Sequence, residues 1–241
     1  QHGLHFGHDY YFQVAENFIT WGENTKRIIK RSFTNSEKVF IGGWPSFDET
    51  KPIKNNNLKQ FGRKTKLLFL GHNAEGFSSP YSTGSTLQNM SLLYKAISGF
   101  KKQLNVIVRL HPRSSDILPK KLSEKFKINV SFESVSNLDS MIKKADIIIG
   151  QTTTATLYAL LMGKPVIYFP SMKWADRFLE GCKALITANS AVELEKGLKT
   201  ILGNKQNIAA EVRRKFISDY CSYGTNSANK IYKLLTNKAN E

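Results

Sequence analysis

Residues 147–169 read IIIGQTTTATLYALLMGKPVIYF, and this stretch decides the fold class. Its three isoleucines predict a buried strand, and the helical spacing of residues 152–162 predicts a helix that stops at Gly163. Residues 166–169 then form a second apolar strand. A strand, a helix and a strand in this order are typical of a parallel βαβ unit.

The same alternation continues upstream of this stretch. The apolar runs at residues 67–70, 106–108 and 130–132 predict further strands. Helices are predicted at residues 87–100, 118–126 and 138–144, the last with Asn137 as its N-cap. Because these strands are continuous apolar runs, we expect an α/β fold of Rossmann type. In such a fold residues from about 66 to 190 form a doubly wound parallel sheet covered on both faces.

The flanking segments differ in character from this regular core. Before it, residues 14–21 and 39–41 predict strands, residues 23–31 predict a helix, and the polar residues 46–64 read as loop. After it, residues 191–235 are mostly helical, with a break near Gly224. We expect residues 1–43 to be the end of an N-terminal domain with an interdomain segment. Residues 44–236 would then form the nucleotide-sugar-binding domain with its C-terminal helices.

The charge balance restricts the partners of the chain. Lysine and arginine number 35 against 19 acidic residues, which gives a formal net charge of +16. A basic surface favours an anionic partner, namely a nucleotide, an anionic membrane face or nucleic acid. Nucleic acid is not expected, because the sequence has neither an aromatic-rich RNA-binding signature nor zinc-finger spacing.

Cysteine and histidine patterns argue against a bound metal or cofactor. The two cysteines, Cys182 and Cys221, are far apart, which favours a reducing cytoplasm over a disulfide scaffold. His2, His5 and His8 lie three residues apart, but no carboxylate or cysteine ligand accompanies them at a recognisable spacing. We therefore expect no metal and no cofactor.

Two strand ends carry residues suited to an anion, and ligands of such sheets bind at the carboxyl ends of the strands. Arg109 offers a fork of donors that suits a phosphate, and His111 can donate to phosphate or shuttle a proton. Thr152, Thr153 and Thr154 follow a buried strand and open a helix, where hydroxyl and N–H groups form an anion site. The alternatives are a histidine on a surface turn and a helix cap without ligand.

A third strand end carries Gly71 and His72. The glycine allows close approach to a ligand, and the histidine can contact an acceptor or a phosphate. The alternative is a polar loop at the rim of the cleft without direct contact. These two residues are candidates for the rim of the site.

Motifs in a fixed order resemble those of a known group: Gln1-His2-Gly3, Thr20-Trp21-Gly22, Ile41-Gly42-Gly43, Arg109-Leu110-His111-Pro112, Thr152-Thr153-Thr154 and Gly163-Lys164-Pro165. The chain resembles the C-terminal half of GT-B fold transferases of capsule and lipopolysaccharide assembly. That set includes bacterial sialyltransferases, polysialyltransferases, capsular Kdo transferases and teichoic-acid glycerophosphotransferases. The resemblance implies that His111, Thr152 and Thr153 hold the nucleotide phosphate and that His2 is a candidate catalytic base.

The resemblance implies a glycosyltransferase or glycerophosphotransferase that uses a CMP-, CDP- or UDP-linked donor and a glycan or lipid-linked acceptor. Such an enzyme would be cytoplasmic or peripheral to the inner membrane. Tyr158 stands where many UDP-sugar relatives place a ribose-binding glutamate, which favours a CMP- or CDP-linked donor. Two alternatives stay open: a UDP-GlcNAc 2-epimerase, for which carboxylates at the sugar cannot be placed, and a non-catalytic nucleotide-binding module.

Overall fold

The structure is a computed structural model that describes residues 17–30, 38–48, 63–71, 80–110, 115–133, 137–170, 179, 182–203, 210–222 and 226–238. Its elements in chain order are β1 (Phe18–Thr20), α1 (Glu23–Lys30), β2 (Val39–Ile41), α2 (Pro45–Asp48), β3 (Thr65–Leu70), α3 (Pro80–Ile97), a 3-10 turn (Ser98–Phe100), β4 (Leu104–Arg109), α4 (Ile117–Lys125), β5 (Val130–Glu133), α5 (Leu138–Lys144), β6 (Ile147–Gly150), α6 (Thr154–Leu161), β7 (Val166–Tyr168), β8 (Ile186–Thr187), α7 (Ala191–Leu202), α8 (Ala210–Cys221) and α9 (Ser227–Lys238).

The chain divides into two compact units. One comprises Gln1–Lys51 with Ile208–Glu241, and the other comprises Pro52–Asn207. This division differs from the expected boundary at residue 43, because the C-terminal helices α8 and α9 belong with the first unit and not with the sheet. The expected role of residues 1–43 as the end of a preceding domain stays a prediction.

The larger unit is built on a parallel sheet, which the described residues form with six strands in the order β5-β4-β3-β6-β7-β8. The chain builds outward from β3 to β5 and then returns to the other side of β3 with β6. The order therefore reverses between β3 and β6, which is the topological switch point of a doubly wound sheet. The predicted α/β fold with a parallel sheet is confirmed.

Helices cover the two faces of this sheet. On one face, alternate residues of β3, β4 and β6, among them Leu67, Val106 and Ile149, pack with residues of α3 and α7 into one buried core. The helices α5 and α6 contact β3, β6 and β7. Burial of this apolar area is the main term that holds the sheet together, at roughly 25 cal/mol per Å².

The smaller unit holds a short parallel pair, β1 and β2, in register from Phe18 with Val39 to Thr20 with Ile41. The side chain of Asp48 on α2 accepts hydrogen bonds from the backbone N–H and the hydroxyl of Ser227, at 2.5 and 2.7 Å. These bonds satisfy the first turn of α9 and tie it to α2.

Most predicted elements coincide with observed ones, and α5 matches to the residue with Asn137 as its N-cap, 3.2 Å from the Ser140 N–H. Two elements were not predicted. The helix α2 lies partly in the stretch taken as loop, and β8 is only two residues long. No helix in the described part of the chain is long and apolar enough to cross a membrane.

Candidate functional site

The site lies at the carboxyl edge of the sheet, where β3 and β6 run side by side. The N–H of Gly71 donates to the carbonyl of Arg109 at 3.1 Å, and the N–H of Gln151 donates to the carbonyl of Leu70 at 3.0 Å. A side chain at Gly71 would lie 3.9 Å from the Gln151 side-chain oxygen. The ends of β4, β3 and β6 are therefore joined by backbone hydrogen bonds, and Gly71, Arg109 and the threonine triplet meet at this edge.

Arg109 is the last residue of β4 and lies next to Leu70 of β3 and Glu133 of β5 in the register of the sheet. Its Nε–H is buried and has no hydrogen-bond partner among the residues that the structure describes, while the residue as a whole is half-buried. Burial lowers the pKa of Arg109 from its usual value, but an arginine stays protonated in proteins. A charged guanidinium with an unsatisfied buried donor favours binding of an anion, because an unpaired buried donor is costly.

The three threonines after β6 differ in burial and in their hydrogen bonds. Thr152 is 2% exposed, and its hydroxyl shares a 2.6 Å hydrogen bond with the hydroxyl of Tyr168. Thr153 is the N-cap of α6 and accepts a hydrogen bond from the Thr156 N–H at 3.3 Å. Thr154 is the first helical residue and is half-exposed.

Two of the three hydroxyls are thus hydrogen-bonded within the protein, and Thr153 is the residue that caps the helix. Their expected contact with a phosphate stays a prediction. The backbone N–H groups of Thr154 and Ala155 belong to the first turn of α6, so no carbonyl four residues earlier in the helix can accept from them. These groups and the helix dipole favour an anion at this position.

Close packing fixes the conformation of this segment. A Cβ on Gly150 would lie 2.2 Å from the hydroxyl oxygen of Thr156, a distance that no real structure tolerates. That hydroxyl donates to the carbonyl of Gln151 at 2.6 Å, and Thr156 is fully buried. Glycine at the end of β6 therefore lets α6 approach the strand closely, which positions the first turn of the helix.

Tyr158, which departs from the glutamate expected by resemblance, joins α6 to α5. Its hydroxyl donates to the carboxylate of Asp139 at 2.6 Å, and Lys143 pairs with the same carboxylate at 2.5 Å. Hydrogen bonds from Lys143 first and Tyr158 second lower the pKa of Asp139 below its usual 3.8. A carboxylate is therefore present beside α6, but it comes from the first turn of α5.

The other candidates, His2, His72 and His111, lie outside the described residues. Among the residues that the structure does describe, no group of three histidine, cysteine, aspartate or glutamate side chains could hold a metal ion. Sequence reasoning missed Tyr168 and Glu133, although both end strands of the sheet. Their position at strand ends is the sequence signal that identifies both.

A family model described as UDP-N-acetylglucosamine 2-epimerase matches residues 13–236. The chain belongs to this family. The match favours the epimerase alternative over the glycosyltransferase that the motifs placed first, and it gives no support to the narrower sialyltransferase and Kdo transferase group. A search of curated protein sequences finds no match.

Solved structures with the same fold include epimerases and a transferase. The UDP-GlcNAc 2-epimerase from Methanocaldococcus jannaschii, in complex with UDP-GlcNAc and UDP, is 19% identical with a TM-score of 0.60, over 92% of this chain and 61% of that one. The UDP-GlcNAc 2-epimerase from Neisseria meningitidis bound to UDP-GlcNAc is 14% identical with a TM-score of 0.56, over 92% and 61%. A lipopolysaccharide outer core galactosyltransferase is 11% identical with a TM-score of 0.57, over 93% and 62%.

These identities establish the fold alone. The chain spans about three-fifths of the length of the solved structures that it matches. The GT-B-like architecture expected from the sequence is therefore supported by both classes of enzyme.

Proposed function

We propose that this chain is the nucleotide-binding part of an enzyme that epimerises a nucleotide-activated amino sugar of the UDP-GlcNAc type. The observation that carries the proposal is the family match over residues 13–236, on a sheet whose strand order reverses between β3 and β6. Two of the epimerases of similar fold were solved in complex with UDP-GlcNAc, one of them also with UDP. The donor expected here is accordingly UDP-linked, in place of the CMP or CDP that Tyr158 suggested.

The diphosphate would lie across the edge between Arg109 and the start of α6. The guanidinium supplies charge-assisted hydrogen bonds, and the N–H groups of Thr154 and Ala155 supply donors aimed along the helix axis. Donors held in place act most strongly where negative charge develops, as it does on a diphosphate that departs from a sugar carbon. The same edge therefore serves both ground-state binding and stabilisation of the leaving group.

Epimerisation would also require that the proton on carbon 2 leave as the diphosphate departs. A proton would then add to the opposite face of carbon 2 as the bond between the diphosphate and the sugar re-forms, and both transfers call for acid–base groups. Glu133 ends β5 beside Arg109 in the sheet register and is a candidate for one of these groups. His2, His72 and His111 are the other candidates. No cofactor or metal is proposed for this chemistry.

The second candidate is a glycosyltransferase, and the similarity in fold to the galactosyltransferase favours it. For that enzyme the net charge of +16 supports contact with an anionic membrane face that carries a lipid-linked acceptor. A sialyltransferase-like or glycerophosphotransferase-like specificity belongs to this second candidate.

Solvent exchange separates the two candidates. The purified protein is incubated with UDP-GlcNAc in deuterium oxide without any acceptor, and the nucleotide sugar is analysed by NMR. The epimerase is expected to produce the 2-epimer with deuterium at carbon 2, because the proton is returned from solvent. An unchanged sugar here, with transfer once an acceptor is added, would reject the epimerase in favour of the transferase.

Binding alone can be tested by thermal shift with CMP, CDP, UDP, GDP and ADP. The largest stabilisation is expected from UDP, since a ligand that binds the folded state raises its melting temperature. A larger shift with CMP or CDP than with UDP would overturn the nucleotide assignment.

A further inference from the structure

A separate cleft of about 330 Å³ lies within the larger unit, between α5 and the adjoining parts of β3, β4 and β5. The residues that line it include Lys66 and Asn105 at the start of their strands, and Ser140 and Lys144 on α5. None of these four belongs to the edge formed by Gly71, Arg109 and the threonines, although Glu133, which also lines the cleft, ends β5 beside Arg109. The volume lies in the range of small-molecule sites.

Two lysines, Lys66 and Lys144, line the cleft, and neither of them forms an ion pair in the part of the chain that the structure describes. Asp146 forms no ion pair with either lysine ammonium group. Arg63 pairs with one of its carboxylate oxygens at 2.8 Å, and the backbone N–H of Lys66 donates to the other at 2.8 Å. Two ammonium groups around one cavity favour a ligand with a dianionic group.

The rest of the lining suits a polyhydroxylated ring. Leu68 and Ile107, adjacent in the sheet register, provide an apolar floor against which the C–H face of a sugar can pack. The Asn105 amide and the Ser140 hydroxyl can bond to sugar hydroxyls. Glu133 is the one carboxylate in the lining, so the cavity retains an excess of positive charge.

We propose that this cleft is a second binding site for a small phosphorylated sugar, with its phosphate held by Lys66 and Lys144 and its ring on the Leu68–Ile107 floor. Both lysines are accessible and neither contributes to the buried core. The two lysines take no part in the proposed nucleotide site, so the cleft can bind a sugar phosphate whether the enzyme is an epimerase or a transferase.

The test is isothermal titration of the protein with glucose 1-phosphate, glucose and inorganic phosphate. Glucose 1-phosphate is expected to bind saturably and more tightly than either fragment. The double variant Lys66→Met/Lys144→Met is expected to weaken that binding about tenfold or more, since charge-assisted hydrogen bonds are lost. The charge-preserving variant Lys66→Arg/Lys144→Arg is expected to retain most of the affinity.

The matched control is Lys143→Met, which removes the same charge from the same helix outside the cleft and should change affinity less than about twofold. Equal loss in this control would show a general charge effect and overturn the proposal. So would inorganic phosphate binding as tightly as glucose 1-phosphate, or no saturation by about 10 mM ligand. Displacement of glucose 1-phosphate by excess UDP would also overturn it, because the cleft would then be part of the nucleotide site; failure of UDP to bind at all would count only against the proposed function.

Discussion

The substitution Gly150→Ala tests the packing that positions the first turn of α6. The added Cβ would lie 2.2 Å from the hydroxyl oxygen and 2.6 Å from the methyl carbon of Thr156. The clash is steric and does not arise from backbone strain, since Gly150 is not among the glycines with positive φ. The strand or the helix must therefore move.

The expected cost follows from two effects. Inserting a methyl group into a packed core costs roughly 1–3 kcal/mol. Displacing the Thr156 hydroxyl from its 2.6 Å bond to the Gln151 carbonyl adds about 1 kcal/mol. We expect Gly150→Ala to lower the free energy of unfolding by about 2–4 kcal/mol, measured by urea denaturation, with the midpoint falling by roughly 1–2 M.

A double-mutant cycle with Thr156→Ala isolates the clash. The alanine removes the two atoms nearest to the new Cβ, so the combined variant should be less destabilised than the two single costs together by about 1–3 kcal/mol. Strict additivity, or a Gly150→Ala variant as stable as the wild type, would refute the close approach of α6 to β6.

Three further predictions concern individual side chains at the site. Thr153→Ala should lower stability by about 1 kcal/mol in thermal denaturation through loss of the N-cap, while Thr153→Ser should restore it. Arg109→Met should weaken UDP binding about tenfold or more but uridine binding little, by isothermal titration; equal losses for both ligands would mean that Arg109 only shapes the pocket. The stability that Asp139 contributes should be present above pH 3.8 and lost as the pH falls through its lowered pKa, so urea denaturation of Asp139→Asn should differ from wild type at neutral pH and converge with it in acid.

Local patterns in the sequence were enough to predict the parallel sheet and most of its helices. Apolar runs such as Ile147–Ile149 indicate buried strands, and Asn137 before an amphipathic segment is a strong cap signal. The strand β8 could not be predicted because two residues are too few to show a periodic pattern. The helix α2 could not be predicted for the same reason, since it has four residues and lies partly in a polar segment. Which surface a helix packs on is a tertiary property, so the grouping of α8 and α9 with the first 51 residues could not be read from their spacing.

At the candidate site, too, the sequence predicted local position but not tertiary contacts. Position after a strand identified Arg109 and the threonine triplet, because all parallel strands end at one edge. It could not show that Thr152 would pair with a hydroxyl sixteen residues further on, or that Asp139 would reach Tyr158 from another helix. The choice between epimerase and transferase depends on acid–base groups at the sugar, and a fold shared by both classes leaves that choice to the family match.

The arrangement at the edge separates stability from affinity. The hydroxyl of Thr152 is hydrogen-bonded to Tyr168, and that of Thr153 accepts from the first turn of α6. Removing either hydroxyl should therefore lower mainly the free energy of unfolding. Arg109 has a buried donor that no described residue satisfies, so its removal relieves a cost in the free protein and should act mainly on anion binding. The remaining hydrogen bonds to the diphosphate would come from backbone N–H groups. Only a substitution by proline would remove one of these groups from the triplet. A triplet variant that loses affinity without losing stability would therefore show that a hydroxyl changes partner when the nucleotide binds.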